Sequence, residues 1–182
     1  MIKATETKLK GCFIIEPQIF EDERGYFFEC FNHKEFCEVI RQEINFVQDN
    51  QSFSKKGVLR GLHYQKGEHA QAKLVSVLEG RIQDVVVDLR KDSPTFGEHL
   101  SIELSSGNKK QLFVPRGFAH GFLTLSEFAN VFYKCDNYYH KNAEGGIRFD
   151  DQKLKLAWQL NTSDLILIEK DIKLPFWDNM DT

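Results

Sequence analysis

Between Asn45 and Cys135 the chain is a series of short apolar, β-branched and aromatic runs separated by turn residues, and this rhythm constrains its fold most. Runs of that length and composition read as strands. The pattern predicts strands at 45–52, 58–65, 72–78, 81–89, 98–104, 110–114, 117–125 and 129–135. Ahead of them, 11–16 reads as a strand stopped by Pro17, and 26–31 as another after the charged loop Glu21-Asp22-Glu23-Arg24-Gly25. Lys34 to Arg41 is the one good helical stretch, with Phe36, Val39 and Ile40 on one face and Asn32 or His33 near its start. Glu79-Gly80 carries a hairpin-turn signal, and Ser105-Ser106-Gly107-Asn108 has loop chemistry. Residues 164–168 read equally as a strand or as the start of a helix. About ten short strands with regular turns predict an all-β sandwich or jelly roll with minor helices. The mouth of such a barrel is a natural ligand site.

A chain of 182 residues without a break in composition fits one domain, 1–182. The formal charge of −3 gives no field for nucleic acid, which demotes that class of partner. Cys12, Cys30, Cys37 and Cys135 form no CxxC pair, and residues 1–10 hold four charged side chains and no apolar run. Both features predict a reduced, cytoplasmic protein with no membrane span. The 16 phenylalanines suit a ring-packed barrel and equally a cleft that stacks a planar ligand.

The residues that carry chemistry sit inside these apolar runs. Gly57-Val58-Leu59-Arg60-Gly61-Leu62-His63-Tyr64-Gln65 places a cation and an imidazole three residues apart on one strand. Strict alternation would put Leu59, Gly61 and His63 on one face and Arg60, Leu62 and Tyr64 on the other. A lone histidine here reads as a core group bonded to a carbonyl, but Arg60, Lys73 and His120 on neighbouring strands favour a site. Lys73 by itself would be a surface charge. His120 lies in Pro115-x-Gly117-x-x-His120, which matches the second half of a cupin metal signature. The first half needs a second imidazole and a carboxylate, and the chain offers only His63-x-Gln65 with His69 or Ala70 at the acidic place. No metal is therefore assigned, and His69 beside Glu68 reads as solvated. Tyr133 in an apolar strand is a core ring or a proton donor at the rim, while Tyr138 and Tyr139 are stacking surfaces or edge covers. Glu169-Lys170-Asp171 reads as a solvated charge run, or as the source of a carboxylate that fixes the tautomer of His63.

Taken together, the strings resemble the dTDP-4-dehydrorhamnose 3,5-epimerase family of nucleotide-sugar epimerases. The resemblance runs from about Gly11 to Pro175. It rests on PQIFEDERGYFFE (17–29), NFVQDN (45–50), GVLRGLHYQ (57–65), AKLV (72–75), FVPRGFAHGF (113–122), YKCDNYY (133–139), AEGGI (143–147) and EKD (169–171). It implies a metal-free, cupin-like jelly roll that forms homodimers and uses no cofactor. His63 then corresponds to the general base, Asp171 to its supporting carboxylate and Tyr133 to the general acid. Substrate contacts are implied for Arg24, Glu29, Gln48, Asp49, Asn50, Arg60, Lys73, His120, Glu144 and Lys170, and stacking on the thymine ring for Tyr139. The chain departs from the family pattern at Ile168, where serine is common, and the string Phe176-Trp177-Asp178-Asn179 has no counterpart in it.

The implied reaction suits these residue types. A ketone at C4 of a hexose acidifies the hydrogens on C3 and C5, because either carbanion delocalises onto oxygen. Inversion needs a base on one face and an acid on the other, each worth roughly 10²–10⁴-fold. Lys73, helped by His120, is the candidate for stabilising the enolate, and one such donor is worth about 2.7–4 kcal/mol. Arg24, Arg60 and Lys170 would offset the diphosphate. Three other readings stand beside this one. They are a 3-epimerase acting at one carbon, a metal-dependent cupin oxygenase with His63, His69 and His120 as ligands, and a non-catalytic sugar-binding module.

Overall fold

The computed structural model describes residues 2–179. Two antiparallel sheets face one another. The first has six strands, ordered β1 (Lys3–Glu6), β2 (Phe13–Glu16), β10 (Gln111–Val114), β7 (Lys73–Glu79), β12 (Phe128–Cys135) and β5 (Gln48–Lys55). The second has five, ordered β13 (Glu144–Gly146), β6 (Leu59–Gln65), β11 (Phe118–Thr124), β8 (Arg81–Asp88) and β9 (His99–Ser105). A separate hairpin, β3 (Phe20–Asp22) with β4 (Gly25–Phe27), and the helices α1 (His33–Ile40) and α2 (Glu169–Ile172) complete the set. This is the all-β, cupin-like jelly roll expected from the strand rhythm.

The core between the sheets is built by alternation. Val75 and Val77 of β7, Ile82 and Val86 of β8, Phe118 and Phe122 of β11, and Val131 of β12 point inward and are buried together. The intervening residues pack on the outer faces. Leu74 and Phe113 meet Phe36 and Ile40 of α1 over the first sheet. Leu62, Val85 and Val87 are covered on the second sheet by Ile147, Leu154 and Trp177. β8 is therefore apolar on both faces, which is why its sequence hardly alternates. Fully burying one such side chain contributes about 1.5–3 kcal/mol, so the three clusters dominate stability.

Several sequence expectations need correction. Glu79-Gly80 does not close a hairpin, since β7 and β8 belong to different sheets and the turn is a corner between them. The strand expected at 26–31 ends at Phe27, and Glu21 and Asp22 of the supposed loop pair with Tyr26 and Gly25. The strand expected at 45–52 is displaced to Gln48–Lys55. Residues 164–168 form no strand and no α-helix, Asp164 closing a 3-10 turn, Thr162–Asp164. Ile166 makes one isolated parallel bridge to Val58, and the helix begins at Glu169. The helical reading of 34–41 holds, with the Asn32 side chain capping α1 by accepting from the Glu35 amide.

The most consequential departure lies in β6. His120 pairs with His63 and Phe122 pairs with Arg60, so Gly61 and Leu62 together oppose Gly121 alone. This extra residue is a β-bulge, and it resets the alternation. Arg60 and His63 now line one cavity, while Leu62 joins Tyr64 on the outer face. The even alternation read from the sequence fails here because the pleat is counted across an inserted residue. Gly61 has φ +114°, and a Cβ there would sit 2.8 Å from both the His120 carbonyl oxygen and the Gly121 Cα. Gly61→Ala should therefore lose about 1–3 kcal/mol from backbone strain alone, with the steric clash added. Urea unfolding that matches the wild type would show that the bulge tolerates a side chain.

Candidate active site

Alternation inside the sandwich delivers polar residues to the same end of the barrel. Lys73 opens β7 and Tyr133 lies near the end of β12, where Cys135 pairs with Lys73 and Tyr133 with Val75. Gln48 and Asn50 take the inward positions of the adjacent β5. From the facing sheet come His63 and His120, a directly opposed pair on β6 and β11. His63, His120, Lys73, Tyr133, Arg60 and Asp171 line one cavity of about 380 Å³. An adjoining cavity of about 170 Å³ shares His63, Lys73 and Tyr133, and extends to Gln48, Asn50, Tyr139 and Glu144. The imidazole and the phenol thus approach a common space from opposite sheets.

Asp171 supports His63 as the sequence allowed. Its Oδ1 lies 2.8 Å from His63 Nε2, and its Oδ2 accepts from the Gly61 amide at 3.2 Å. The carboxylate is 1% exposed and the imidazole 28% exposed, so the pair is a buried acid holding a reachable base. Burial, the largest single influence, pushes the Asp171 carboxyl up, but the hydrogen bonds from His63 and Gly61 and the nearby Lys170 together hold it below its ordinary value.

A second such pair was not singled out from the sequence. His120 Nε2 lies 2.8 Å from Asp84 Oδ2, with Asp84 fully buried. The signal was available in Arg81-Ile82-Gln83-Asp84-Val85-Val86-Val87-Asp88. There Ile82, Asp84 and Val86 share the inward face, so an acid stands where the core expects an aliphatic residue.

Lys73 and Tyr133 are neighbours, the ammonium 5.9 Å from the ring centre. Burial pushes Lys73 below its ordinary value, partly opposed by the charges of Asp84 and Glu144. Burial also pushes the Tyr133 phenol up. At the rim, the Tyr139 hydroxyl donates to Glu144 Oε2 at 3.0 Å, and Lys170 pairs with the other Glu144 oxygen. The hydrogen bond to Glu144 raises the Tyr139 phenol, and Lys170's own hydrogen bond to the same carboxylate raises Lys170. Arg60 Nε donates to Ser54 Oγ at 2.9 Å at the other end of the cavity.

Three expected contacts lie elsewhere in the chain. Asp49 occupies an outward position of β5 and pairs with Lys134 at 2.9 Å. Arg24 sits at the exposed turn of the β3–β4 hairpin, paired with Asp22. Glu29 follows that hairpin and accepts from Asn32 at 3.5 Å. The ligand set of the oxygenase reading is not assembled. His69 stacks on His140 at 4.1 Å, and the two cavity histidines each face a carboxylate. The unplaced string near the C-terminus does have a place. Trp177 packs on the outer cluster of the second sheet and against Phe96 at 5.4 Å between ring centres, and its amide donates to Asp151 Oδ2 at 2.7 Å.

A carboxylate-backed imidazole opposite a phenol, with a half-buried ammonium beside the phenol, can remove a proton from carbon on one face and return one on the other. The class so defined is an acid–base isomerase on a cupin-like jelly roll. The family model described as dTDP-4-dehydrorhamnose 3,5-epimerase matches residues 6–179. The Salmonella typhimurium dTDP-4-dehydrorhamnose 3,5-epimerase is 48% identical, covering 98% of this chain and 97% of that one. The Elizabethkingia anophelis enzyme of that name superposes with TM-score 0.96 at 55% identity, over 100% of this chain and 99% of that one. A Legionella pneumophila dTDP-6-deoxy-D-glucose-3,5-epimerase, solved with dTDP-4-keto-L-rhamnose, gives TM-score 0.95 at 45% identity, over 100% of this chain and 95% of that one. This chain belongs to the dTDP-4-dehydrorhamnose 3,5-epimerase family, and it is an isomerase.

The lowered Asp171 fixes the sign of one stability effect. A depressed carboxyl stabilises the fold above its unfolded value and loses that contribution as pH falls through its folded value. Urea unfolding of wild type and Asp171→Asn should show a gap at neutral pH that narrows by pH about 3. A gap independent of pH would remove charge from the account of this pair.

Proposed function

We propose that this protein inverts C3 and C5 of dTDP-4-dehydro-6-deoxy-D-glucose to give dTDP-4-dehydro-L-rhamnose, a precursor for cell-surface glycans. The observation that carries the reading is the pairing of Asp171-backed His63 with Tyr133 across one cavity, in a chain alike over its length to enzymes of that name. Neutral His63 takes the proton from carbon, and Asp171 stabilises the imidazolium that forms. Tyr133, whose phenol is kept protonated by burial, returns a proton from the opposite face. Lys73 stabilises the enolate oxygen, with His120 and its Asp84 behind it.

The smaller cavity suits the nucleotide portion. Tyr139 offers a ring for the base, and Gln48, Asn50 and Glu144 offer hydrogen bonds beside it. Arg60 and Lys170 supply charge for the diphosphate. Arg24 and Glu29 line neither cavity, and in this reading they reach the ligand of a second copy, the exposed hairpin of a homodimer crossing to the neighbouring site. Phe20 and Phe27 of that hairpin, 55% and 67% exposed, supply the apolar contact such docking needs. Asp49, which faces away, acts by holding Lys134. No helix among the described residues is long and apolar enough to cross a membrane. The four unpaired thiols support a reducing, cytoplasmic setting for this single-domain reading, and the acid–base steps proposed call on no cofactor.

Turnover of the keto sugar in deuterated water should place label at both C3 and C5. Label confined to C3 would make the protein a single-centre epimerase. His63→Ala should abolish exchange at both carbons, and Tyr133→Phe should leave exchange while blocking net inversion. Equal loss of both steps in Tyr133→Phe would remove it as the acid.

The same reading makes Lys73 the group behind the alkaline limb of kcat/KM. Burial lowers Lys73 and raises Tyr133 from their ordinary values, which favours the lysine as the group that titrates first as pH climbs. Activity should therefore fall in alkali with the lysine, and the residual activity of Lys73→Arg should persist to higher pH. A limb unmoved in that variant assigns it to another group.

A further inference from the structure

His33 and Cys37 lie four residues apart on α1 and so project from one side of the helix. The loop that follows α1 brings Glu43 back against them. His33 Nε2 is 3.7 Å from Cys37 Sγ and 3.3 Å from Glu43 Oε1, and all three donor atoms lie within 4.8 Å of one another. No other group of three such side chains is assembled among the described residues. From these distances we infer a binding site for Zn²⁺ or a similar borderline-soft divalent ion, separate from the epimerase cavity.

The distances suit one face of a coordination tetrahedron. With Zn–S about 2.3 Å and Zn–N and Zn–O about 2.0–2.1 Å, tetrahedral angles give an S···N edge of about 3.6 Å and an N···O edge of about 3.3 Å. The S···N and N···O pairs already stand at nearly those separations, and the third pair lies within 4.8 Å, so closing the face needs only a small movement of exposed Glu43. A second feature concerns the sulfur itself. The Ile44 amide donates to Cys37 Sγ at 3.5 Å, the kind of outer contact that stabilises a ligating thiolate. In the free thiol, the S–H proton faces the Ile44 carbonyl at 3.7 Å. Metal binding releases that proton to solvent, and thiolate and carboxylate together then balance the charge of the ion.

Lys34 and Arg41 flank the same surface and oppose a cation, while Glu38 beside them offsets part of that charge. His33 and Glu43 side chains are 47% and 79% exposed, so the ion keeps solvent in its remaining position. The site is therefore an open three-ligand clamp that ties α1 to the loop leading into β5.

Co²⁺ titrated into the purified full chain reports this directly, because a thiolate ligand gives an ultraviolet charge-transfer band. The band should appear at one equivalent, and Zn²⁺ should displace it and raise Tm. Cys37→Ser should abolish the band, whereas Cys30→Ser, which removes the exposed cysteine, should leave it unchanged. His33→Ala and Glu43→Gln alter exposed side chains and should each weaken Zn²⁺ by at least about tenfold. They keep the test decisive if Cys37→Ser folds poorly. Absence of the band in the wild type, its persistence in Cys37→Ser, or its loss in Cys30→Ser would overturn the site. Epimerase turnover should not depend on the ion, so failure here leaves the reading of the cavity intact.

Discussion

One inserted residue in β6 organises the whole active end of the molecule. A bulge leaves a backbone amide without a ladder partner, and a buried amide must find an acceptor. Here the Gly61 amide finds Asp171 Oδ2, while the other oxygen of that carboxylate meets His63. The irregularity that turns Arg60 and His63 to the same side thus also fixes the carboxylate that meets the imidazole. Without the insertion, the pleat would send Arg60 to the outer face occupied by Leu62 and Tyr64. Gly61 is required by the same geometry, since the backbone of β11 passes where a side chain would be.

The polar end of the barrel is energetically unfavourable on its own. Effective penalties for burying an ion reach several kcal/mol. A few fully buried aliphatic residues at about 1.5–3 kcal/mol each offset such a penalty, and the inter-sheet core supplies them directly beneath the site. The arrangement also limits the penalty by pairing. Each cavity imidazole faces a carboxylate, and Lys73 stands within the influence of Asp84 and Glu144. What remains of the strain appears as chemistry: a lysine that gives up its proton more easily and a phenol that holds on to its own. Both directions arise from burial, so the apolar walls do as much to set the site as the polar groups do.

Much of this was legible in the sequence because strand periodicity is a local property. Strand positions, the capped helix, and the polar intruders His63, Lys73, His120 and Tyr133 all follow from short windows. Asp84 was legible by the same rule, as an acid on the inward face of an otherwise apolar strand. The bulge was not, because an inserted residue is defined only against its partner strand, and β11 is more than fifty residues away in the chain. The corner at Glu79-Gly80 failed for a related reason. Turn chemistry says that the chain reverses, whereas pairing across the molecule decides which sheet receives it. Arg24 and Glu29 illustrate a third limit, since a motif groups residues by their order in the chain, whereas the fold places these two on an exposed hairpin and the segment after it, paired with Asp22 and Asn32.

The string at 176–179, which no motif explained, follows from the position of Asp171. A carboxylate on a helix of only four residues cannot be held by that helix, because so short a segment has little stability of its own. It must be held by what flanks it. On the C-terminal side, the Leu174 amide donates to the Asp171 carbonyl, and the Leu174 side chain presses so closely on Gly146 that a Cβ there would lie 2.6 Å from it. That added Cβ would lie equally close to the Leu62 carbonyl oxygen, the Pro175 carbonyl then accepts from the Arg148 amide at 3.0 Å, and Trp177 packs on the outer cluster to which Leu62 and Ile147 belong. Leu62 is the bulge residue next to Gly61. The C-terminal segment therefore packs on the outer surface of the very irregularity whose inner surface carries His63. Aspartate and histidine are kept in register because the chain clamps β6 from both sides.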